Sequence, residues 1–364
     1  MGLTERECWF WLASCEWIGV RSAEKLLGYF KSAKNIYYGS NSHYEKVQGL
    51  SKKILHGLQC SKVSEDQIKR WMNALEQNQG KFTCRIDSDY PQKLRHLSDP
   101  PLGLFYYGEL PKKEQPMIAV IGAREASEYG LEAARYFSRK LSECGVGIIS
   151  GLARGVDGEA HKGALQGGGF TWGVLGCGIN ICYPKENHSI FEQMKHHGGI
   201  LSEYGYGVKP EPWHFPMRNR IISGLADGIF VIEAREQSGS LITVDLGLDQ
   251  GKNIYALPGS FYGALSKGCH QLIQGGAKLV MEPKDILEDF KIDFLPADPG
   301  KEKKLTLDKS EQLVYSSLSL GPRDIDSIAM ACELPLSEVI SILIQMEMEG
   351  KIRNAGHNRY MLKL

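Results

Sequence analysis

The central part of the chain alternates short apolar runs with segments of helical periodicity. Apolar runs of strand length recur seven times between residues 117 and 280, and a helical segment separates each run from the next. This alternation predicts βα units in one α/β domain, whose doubly wound and mainly parallel sheet carries helices on both faces. The predicted strands cover residues 117–121, 147–149, 171–175, 199–201, 228–232, 253–257 and 278–280.

The segment before this domain follows helical spacing instead. Its apolar side chains recur three or four residues apart, for example at Trp9, Leu12, Ala13 and Trp17. The pattern predicts a small helical domain over residues 1–84, similar to SAM or helix-hairpin-helix domains. Two of its glycine turns precede lysine-bearing helices. This arrangement binds phosphate in helix-hairpin-helix repeats, and it is also common in helical bundles that bind nothing.

The α/β domain is expected over residues 85–290, and a different pattern follows it. Residues 291–304 are charged and contain proline, which is typical of a linker. Three short helical segments and a terminal hairpin then predict a winged-helix-like domain over residues 305–364. Its third helix carries three glutamates and no cation, whereas helices that read the major groove present basic or amide side chains. We therefore expect this domain to have a protein-contact or packing role and not to bind duplex DNA.

Composition narrows the class of protein. The 364 residues are 42% hydrophobic and 24% charged, as in folded proteins of two or three domains. Lys plus Arg and Asp plus Glu each number 43, so DNA binding would require a local cluster of cations. No apolar segment approaches the ~20 residues of a membrane span and the start lacks a secretory pattern, so we expect a cytoplasmic protein without membrane contact. The nine cysteines include no Cys-x-x-Cys pair and predict neither a zinc site nor disulfides.

Glycines and cations meet at the ends of the predicted strands. Ligands of Rossmann-like sheets bind beyond the carboxyl ends of the strands, where glycine lets a ligand approach the backbone and arginine suits an oxyanion. Such residues occur in the loops after the first three predicted strands, and we expect them to bind phosphate. They are Gly122, Arg124, Ser127, Gly151, Arg154 and Lys185.

Two residue pairs allow alternative interpretations. Asp157 and His161, one helical turn apart, could form an acid–base pair, but a helix cap and a packing histidine are the better interpretation. Arg218 and Arg220 flank Asn219 and cannot share one helix face. One arginine should therefore face the ligand and the other the protein, and the spacing does not decide which.

Several catalytic motifs are absent from the sequence. It contains no Gly-x-x-x-x-Gly-Lys-Ser/Thr loop, no Gly-x-Gly-x-x-Gly after the first predicted strand, and no clustered carboxylates for two metal ions. We therefore expect a binding protein that is not an enzyme and uses no cofactor or metal.

The order and spacing of six segments resemble the signatures of the DprA/Smf family. They are residues 121–130, 150–165, 174–187, 218–225, 233–243 and 268–277. The resemblance implies a non-catalytic homodimer that protects incoming single-stranded DNA and loads the RecA recombinase during natural transformation. It further implies that Arg124, Arg154 and Lys185 contact phosphate, with Gly122, Gly151 and Asn219 shaping the pocket.

The end of the fold, including His270, Ile273 and Leu279, falls where this family forms its dimer and recombinase contacts. The sequence departs from the family pattern at two positions near this region. His270 stands where asparagine is more frequent, and Lys252 stands where arginine is frequent.

Two other functions compete with this interpretation. A nucleotide hydrolase of the lysine-decarboxylase-like group also uses a Rossmann-like sheet, but its Pro-Gly-Gly-x-Gly-Thr loop has only a partial counterpart in residues 258–260. A scaffold that contacts only proteins would instead commit the loop arginines to internal ion pairs.

Overall fold

The structure is a computed structural model in which residues 2–293, 307–318, 321–356 and 358–362 are described. The chain divides into two compact units, Met1–Phe294 and Leu295–Leu364. Most of the predicted linker, residues 294–304, lies outside the described residues.

A nine-stranded sheet forms the centre of the described part of the first unit. Its spatial order is β1-β2-β6-β5-β4-β3-β7-β8-β9, and β3 to β9 are parallel. The predicted Rossmann-like, mainly parallel sheet is thereby confirmed, since its seven strands are β3 to β9. The strands are β1 (Lys81–Cys84), β2 (Gly103–Gly108), β3 (Met117–Ile121), β4 (Gly147–Ser150), β5 (Thr171–Leu175), β6 (Gly198–Ser202), β7 (Gly228–Val231), β8 (Asn253–Ala256) and β9 (Lys278–Leu279).

Helices precede the sheet and connect its strands. Those that connect the parallel strands cover both faces of the sheet, and each face has its own apolar core. The helices are α1 (Glu5–Ala13), α2 (Val20–Phe30), α3 (Ala33–Tyr38), α4 (Asn41–Tyr44), α5 (Lys52–Ser61), α6 (Glu65–Gln77), α7 (Gln92–Arg95), α8 (Glu128–Glu143), α9 (Val156–Gln166), α10 (His188–Met194), α11 (His214–Leu225), α12 (Gly239–Asp249), α13 (Lys267–Gln274) and α14 (Pro283–Leu287).

The strands β1 and β2 are not predicted by the sequence pattern. They pair with each other in antiparallel fashion, and β2 also pairs antiparallel with β6. Aromatic packing against α1 stabilises them, because the Phe10 ring centroid lies 5.1 Å from that of Phe82 and 5.4 Å from that of Phe105. The N-terminal helices thus share a core with the sheet, and the expected domain boundary at residue 84 falls inside one compact unit.

The face predicted for the first helix is only partly observed. Trp9 and Leu12 are buried, but Trp17 lies beyond the end of α1 and is 53% exposed. It packs beside Gly57, where an added Cβ would approach within 2.6 Å of the Trp17 Cβ, and Lys53 Nζ lies 5.3 Å from its ring centroid. Helical spacing therefore breaks at the turn before α2.

The second unit has the predicted winged-helix architecture. Its described elements are α15 (Lys309–Leu318), β10 (Arg323–Asp324), α16 (Ile325–Cys332), α17 (Leu336–Met348), β11 (Ile352–Asn354) and β12 (Arg359–Leu362). The three strands form a small sheet in the order β10-β12-β11. The unit encloses its own apolar core, to which all three helices contribute.

Two further properties were assessed over the described residues. No single helix there is long and apolar enough to cross a bilayer, although α16 and α17, bent by 111°, reach that length and composition as a pair. In the same residues no group of three or more His, Cys, Asp or Glu side chains could hold a metal ion.

Helices α8 and α9 pack closely on each other at Gly163. A Cβ at Gly163 would meet the Arg135 carbonyl and lie 2.9 Å from its Cα. Gly163→Ala should therefore lower the free energy of unfolding by about 1–3 kcal/mol, as overpacking does, measured by urea denaturation. Gly28→Ala is the matched control, because nothing lies within 4 Å of a Cβ there. Equal destabilisation of both variants would contradict the packing assignment.

Candidate phosphate-binding site

The candidate site lies where the strand order of the sheet reverses. The chain proceeds from β3 to β6 on one side of the sheet and returns to the other side of β3 as β7. The crevice beyond the carboxyl ends of β3 and β7 is therefore a topological switch point, the usual ligand site of such sheets. A cavity of about 760 Å³ opens there, lined by the loops after β3 and β7 and by the first turns of α11 and α12.

Three guanidinium groups line the cavity. Arg124 follows β3, Arg235 follows β7, and Arg218 belongs to α11. Arg124 and Arg235 are exposed and form no ion pair with any described residue, while the Arg124 Cζ lies 5.5 Å from the centroid of the Phe215 ring. These two side chains can therefore bind an anion without breaking an existing salt bridge.

Arg218 is buried and connects three elements. Its Nη1 donates to the Gly151 carbonyl at 2.7 Å and to the Val174 carbonyl, and its Nε donates to the Asn219 Oδ1 at 3.2 Å. Burial lowers the pKa of the Arg218 guanidinium to about 10, and the neighbouring Asp157 carboxylate opposes that shift. The side chain therefore fixes the ends of β4 and β5 against α11 and adds positive charge to the cavity wall.

Glycine is required at two of these strand ends for steric reasons. A Cβ at Gly151 would lie 2.7 Å from the Arg218 Cζ, and one at Gly122 would lie 2.7 Å from the Val156 Cγ2. Gly122 also lines the cavity, whereas Gly151 lies behind it. Glycine at both positions is thus needed for packing, and at Gly122 it also leaves the backbone accessible from the cavity.

Asp157 and His161 serve the fold. Asp157 accepts a hydrogen bond from the Gly151 amide at 3.1 Å, and burial raises the pKa of its carboxyl although Arg218 opposes this. The predicted N-cap role of Asp157 is wrong, since Gly155 occupies that position and Asp157 lies in the first turn of α9. His161 is fully buried with its Nδ1 2.7 Å from the Thr171 Oγ1.

Ser127 does not line the cavity. Its Oγ accepts from the Gly130 amide at 3.1 Å and caps α8. The same hydroxyl donates to the Glu233 Oε1 at 2.5 Å, and the Ser127 amide donates to Oε2 at 2.8 Å. These bonds link the start of α8 to the end of β7, and the predicted DNA contact at Ser127 stays a prediction.

Arg154 and Lys185 lie beside the cavity on the next two loops. The Val156 amide donates to the Ala123 carbonyl at 3.2 Å, which places the Arg154 loop against the Arg124 loop. Arg154 forms an exposed ion pair with Glu186 at 2.5 Å, and such pairs contribute little and exchange readily. Lys185 is exposed next to that glutamate. The three cations predicted from the sequence thus lie on consecutive, contacting loops.

Of the two arginines that flank Asn219, only Arg218 reaches the cavity. Arg220 is buried, and its guanidinium pairs with the Asp99 Oδ2 at 3.0 Å and the Glu203 Oε1 at 2.7 Å. The spacing of the two arginines left open which of them faces the cavity, and in the structure it is Arg218. Asn219 lines the cavity beside Arg218.

Three residues were expected at protein interfaces, and they lie at the far edge of the sheet. Leu279 is in the edge strand β9 and is half-exposed. Ile273 is partly buried against the core, and the His270 Nε2 lies 3.2 Å from the Gly259 carbonyl oxygen. None of them lines the cavity.

Sequence reasoning missed Arg235 and Phe215, which both line the cavity. Arg235 lies four positions after the end of β7, much as Arg124 lies three positions after the end of β3, but no glycine stands between the strand and Arg235. Tyr183 and Phe215 line the cavity with ring centroids 5.7 Å apart. In the sequence, Tyr183 and His188 are the aromatic residues of this loop that could stack on a base. Tyr183 lines the cavity, whereas His188 stacks on Phe191 with ring centroids 6.5 Å apart.

The chain thus belongs to the Rossmann-like class of α/β proteins and has a cation-lined cavity at the switch point, where proteins of this class usually bind their ligands. The family model of DNA recombination-mediator protein A matches residues 81–291, and that of the DprA winged helix domain matches residues 298–356. The chain belongs to the DprA/Smf family, whose role is in DNA processing and recombination.

Individual relatives agree with this assignment. DNA processing protein DprA of Streptococcus pneumoniae is 44% identical over 205 residues, which are 56% of this chain and 72% of that protein. Its crystal structure has a TM-score of 0.68 at 32% identity and covers 81% of this chain and 100% of that one. DNA processing protein A of Helicobacter pylori, described as having a unique single-stranded DNA binding mode, has a TM-score of 0.52 at 27% identity and covers 58% of this chain and 96% of that one.

The buried His161 predicts a dependence of stability on pH. Burial lowers the pKa of its imidazole from 6.5 to about 3. As pH falls below 6.5 the unfolded state takes up a proton that the folded state refuses, so stability present above 6.5 is lost between 6.5 and 3. His161→Gln should flatten this loss by up to about 1.4 kcal/mol for each pH unit, measured by urea denaturation. The exposed His188→Gln is the control, and equal flattening in both variants would contradict the assignment.

Proposed function

We propose that this protein binds single-stranded DNA without cutting it. The observation that carries the proposal is the pair of unpaired guanidinium groups, Arg124 and Arg235, on opposite loops of the switch-point cavity. The cations Arg154 and Lys185 extend the same edge of the sheet. A row of cations on contacting loops suits a polyanion better than a single nucleotide.

The aromatic wall favours an unpaired strand over a duplex. Tyr183 is half-exposed, lines the cavity and lies at an interplanar angle of 37° to Phe215. Bases in a duplex are stacked on each other and cannot reach such a ring, whereas bases of a single strand can. In this proposal phosphates follow the cations, and one base enters the cavity and stacks on Tyr183.

The family supports a finer role for the bound complex. In our proposal the protein is non-catalytic, forms a homodimer, protects incoming single strands and loads the RecA recombinase during natural transformation. The half-exposed Leu279 in edge strand β9 supports the choice of dimer surface, because an unpaired strand edge is a template for association. His270 and Ile273 lie on α13, which precedes that strand.

Removal of the unpaired cations should weaken DNA binding. Fluorescence anisotropy with labelled oligo-dT should show that Arg124→Ala and Arg235→Ala each lower affinity about tenfold or more, because each removes a charge-assisted hydrogen bond. Each should also reduce the slope of log affinity against log salt by about 0.7. The triple variant Arg124→Ala, Arg154→Ala, Lys185→Ala should lose most of the binding.

Arg139→Ala is the matched control, since this exposed arginine pairs with Glu143 on the surface of α8 and lies outside the cavity lining. No binding by the wild type, or equal affinities for all variants, would overturn the proposal. Release of a base from a nucleoside monophosphate would instead favour a nucleotide hydrolase.

Stacking and charge make separable contributions. Tyr183→Leu should weaken oligo-dT binding by about 1–3 kcal/mol, the usual effect of losing one stacked base, without changing the salt slope. Tyr183→Phe keeps the ring and should bind as the wild type does. A variant Tyr183→Leu that binds normally would show that no base stacks there.

A further inference from the structure

Helix α12 begins at the wall of the switch-point cavity. Its N-cap Ser238 and the helix residues Gly239, Ser240 and Thr243 line the cavity, whereas the residues of α12 after Thr243 do not. The Gly239 amide donates to no described residue, and nothing lies within 4 Å of a Cβ built at that position. The positive end of the helix dipole therefore faces an open space in which an anion can approach.

Thr243 provides an independent indication of a ligand at this helix start. The residue is only 2% exposed, yet it lines the cavity one helical turn after Gly239. A threonine inside a helix commonly donates to the carbonyl four residues earlier. Within the described part of the chain, however, the Thr243 hydroxyl has no hydrogen-bond partner. A buried hydroxyl without a partner is unfavourable, and an acceptor in the cavity would relieve that cost.

Two serine hydroxyls add a further donor at the same place. The Ser238 Oγ and the Ser240 Oγ lie 2.7 Å apart, and either of them could be the donor. One hydrogen bond uses only one of the two hydroxyl hydrogens, so the other is available to a ligand. The start of α12 therefore offers the cavity two hydroxyl donors and one backbone amide.

The charges around the cavity favour a strongly charged anion. Arg124 and Arg235 are exposed and unpaired within the described residues, and Arg218 adds a buried positive charge. The carboxyl groups that line the cavity belong to Glu125 and Asp157. Burial raises the pKa of the Asp157 carboxyl, although the Arg218 guanidinium opposes this shift. The guanidinium groups therefore outnumber the carboxyl groups even before the helix dipole is counted.

A terminal phosphate matches this set of donors better than an internal one. A phosphomonoester carries a charge of about −1.5 to −2 at pH 7 and three acceptor oxygens. An internal phosphodiester carries one charge and is attached to nucleosides on both sides. Because Thr243 lies one turn behind the helix start, a phosphate must project into the wall to reach its hydroxyl. The end of a strand can project in this way, whereas a phosphate inside a continuous strand cannot do so without bending both neighbours.

We propose that the start of α12 is a subsite for the terminal phosphomonoester of a single strand, so that the protein binds phosphorylated strand ends more tightly than unphosphorylated ones. The inference rests on the proposed function, because it places the end of the bound strand in the same cavity. In this arrangement the terminal base stacks on Tyr183. Its phosphate accepts hydrogen bonds from the α12 hydroxyls and from Arg235.

Three oligo-dT strands of equal length test the subsite. They carry a 5′-phosphate, a 3′-phosphate or no terminal phosphate, and each has its fluorophore at an internal position. In anisotropy titrations of the full chain, at least one phosphorylated strand should bind about tenfold more tightly than the unphosphorylated strand, because the end adds charge-assisted hydrogen bonds. The phosphorylated strand that binds more tightly identifies which end enters the cavity.

The failure of this inference is distinguishable from the failure of the proposed function. Equal affinities for the three strands would overturn the subsite and leave binding of single-stranded DNA intact. No binding of any strand would overturn both.

Variants of Thr243 separate the subsite from a general attraction between charges. Thr243→Val keeps the shape of the side chain but removes the hydroxyl. It should lower the affinity for the phosphorylated strand about fivefold more than that for the unphosphorylated strand. Thr243→Ser keeps the hydroxyl and is the matched control, which should retain the preference. Equal losses for both strands in Thr243→Val, or no loss for either, would overturn the proposal.

Melting temperatures show whether these variants are folded. If Thr243→Val is unfolded, Ser240→Ala replaces it, because Ser240 lies at the more exposed first turn of α12. That variant removes a hydroxyl of the same subsite and should reduce the preference in the same direction. A wild-type preference that persists undiminished in Ser240→Ala and in a folded Thr243→Val would contradict the assignment.

Discussion

The geometry of the candidate site depends on one buried cation. The Arg218 guanidinium takes the place of water for the carbonyls that end β4 and β5, and Asp157 lies close enough to oppose the pKa shift that burial causes. Removing a buried charge of this kind leaves its partners without hydrogen bonds, which costs several kcal/mol. The Arg218 side chain fills the space between α11 and the ends of these strands. Gly151 must therefore lack a Cβ, because that atom would collide with the guanidinium.

Buried and exposed polar groups have different roles at the edge of the sheet. Glu233 holds the start of α8, and the Asn187 Nδ2 ties two loops together by donating to the Leu152 and Ala153 carbonyls, each at 3.0 Å. Arg124 and Arg235 remain exposed and unpaired within the described part of the chain. Loops that are fixed before a ligand arrives lose little entropy on binding. The buried polar groups therefore hold the loops in place, and the exposed cations provide the positive charge that can attract an anion.

Sequence periodicity predicted the elements whose stability is local and missed those that depend on distant partners. The seven parallel strands follow from apolar runs of strand length, but β1 and β2 depend on distant partners, because Phe82 and Phe105 pack on Phe10 and β2 pairs with β6. At the site, Arg124 was found because it follows a strand and a glycine. The sequence could not show that Arg218 bonds to strand carbonyls while Arg220 pairs with Asp99 and Glu203, because all these partners are distant in sequence. The hydrogen bond from Ser127 to Glu233 could not be derived either, because Glu233 lies 106 residues away.

The equal numbers of acidic and basic residues have a kinetic consequence. Long-range steering of a protein toward DNA requires a net positive field, and this chain has a formal charge of zero. Its cations can attract a phosphate only within the screening distance of roughly 8 Å at physiological salt. If the chain binds DNA as proposed, diffusional encounter should therefore depend little on ionic strength, and salt should act mainly by shortening the residence time of a bound strand.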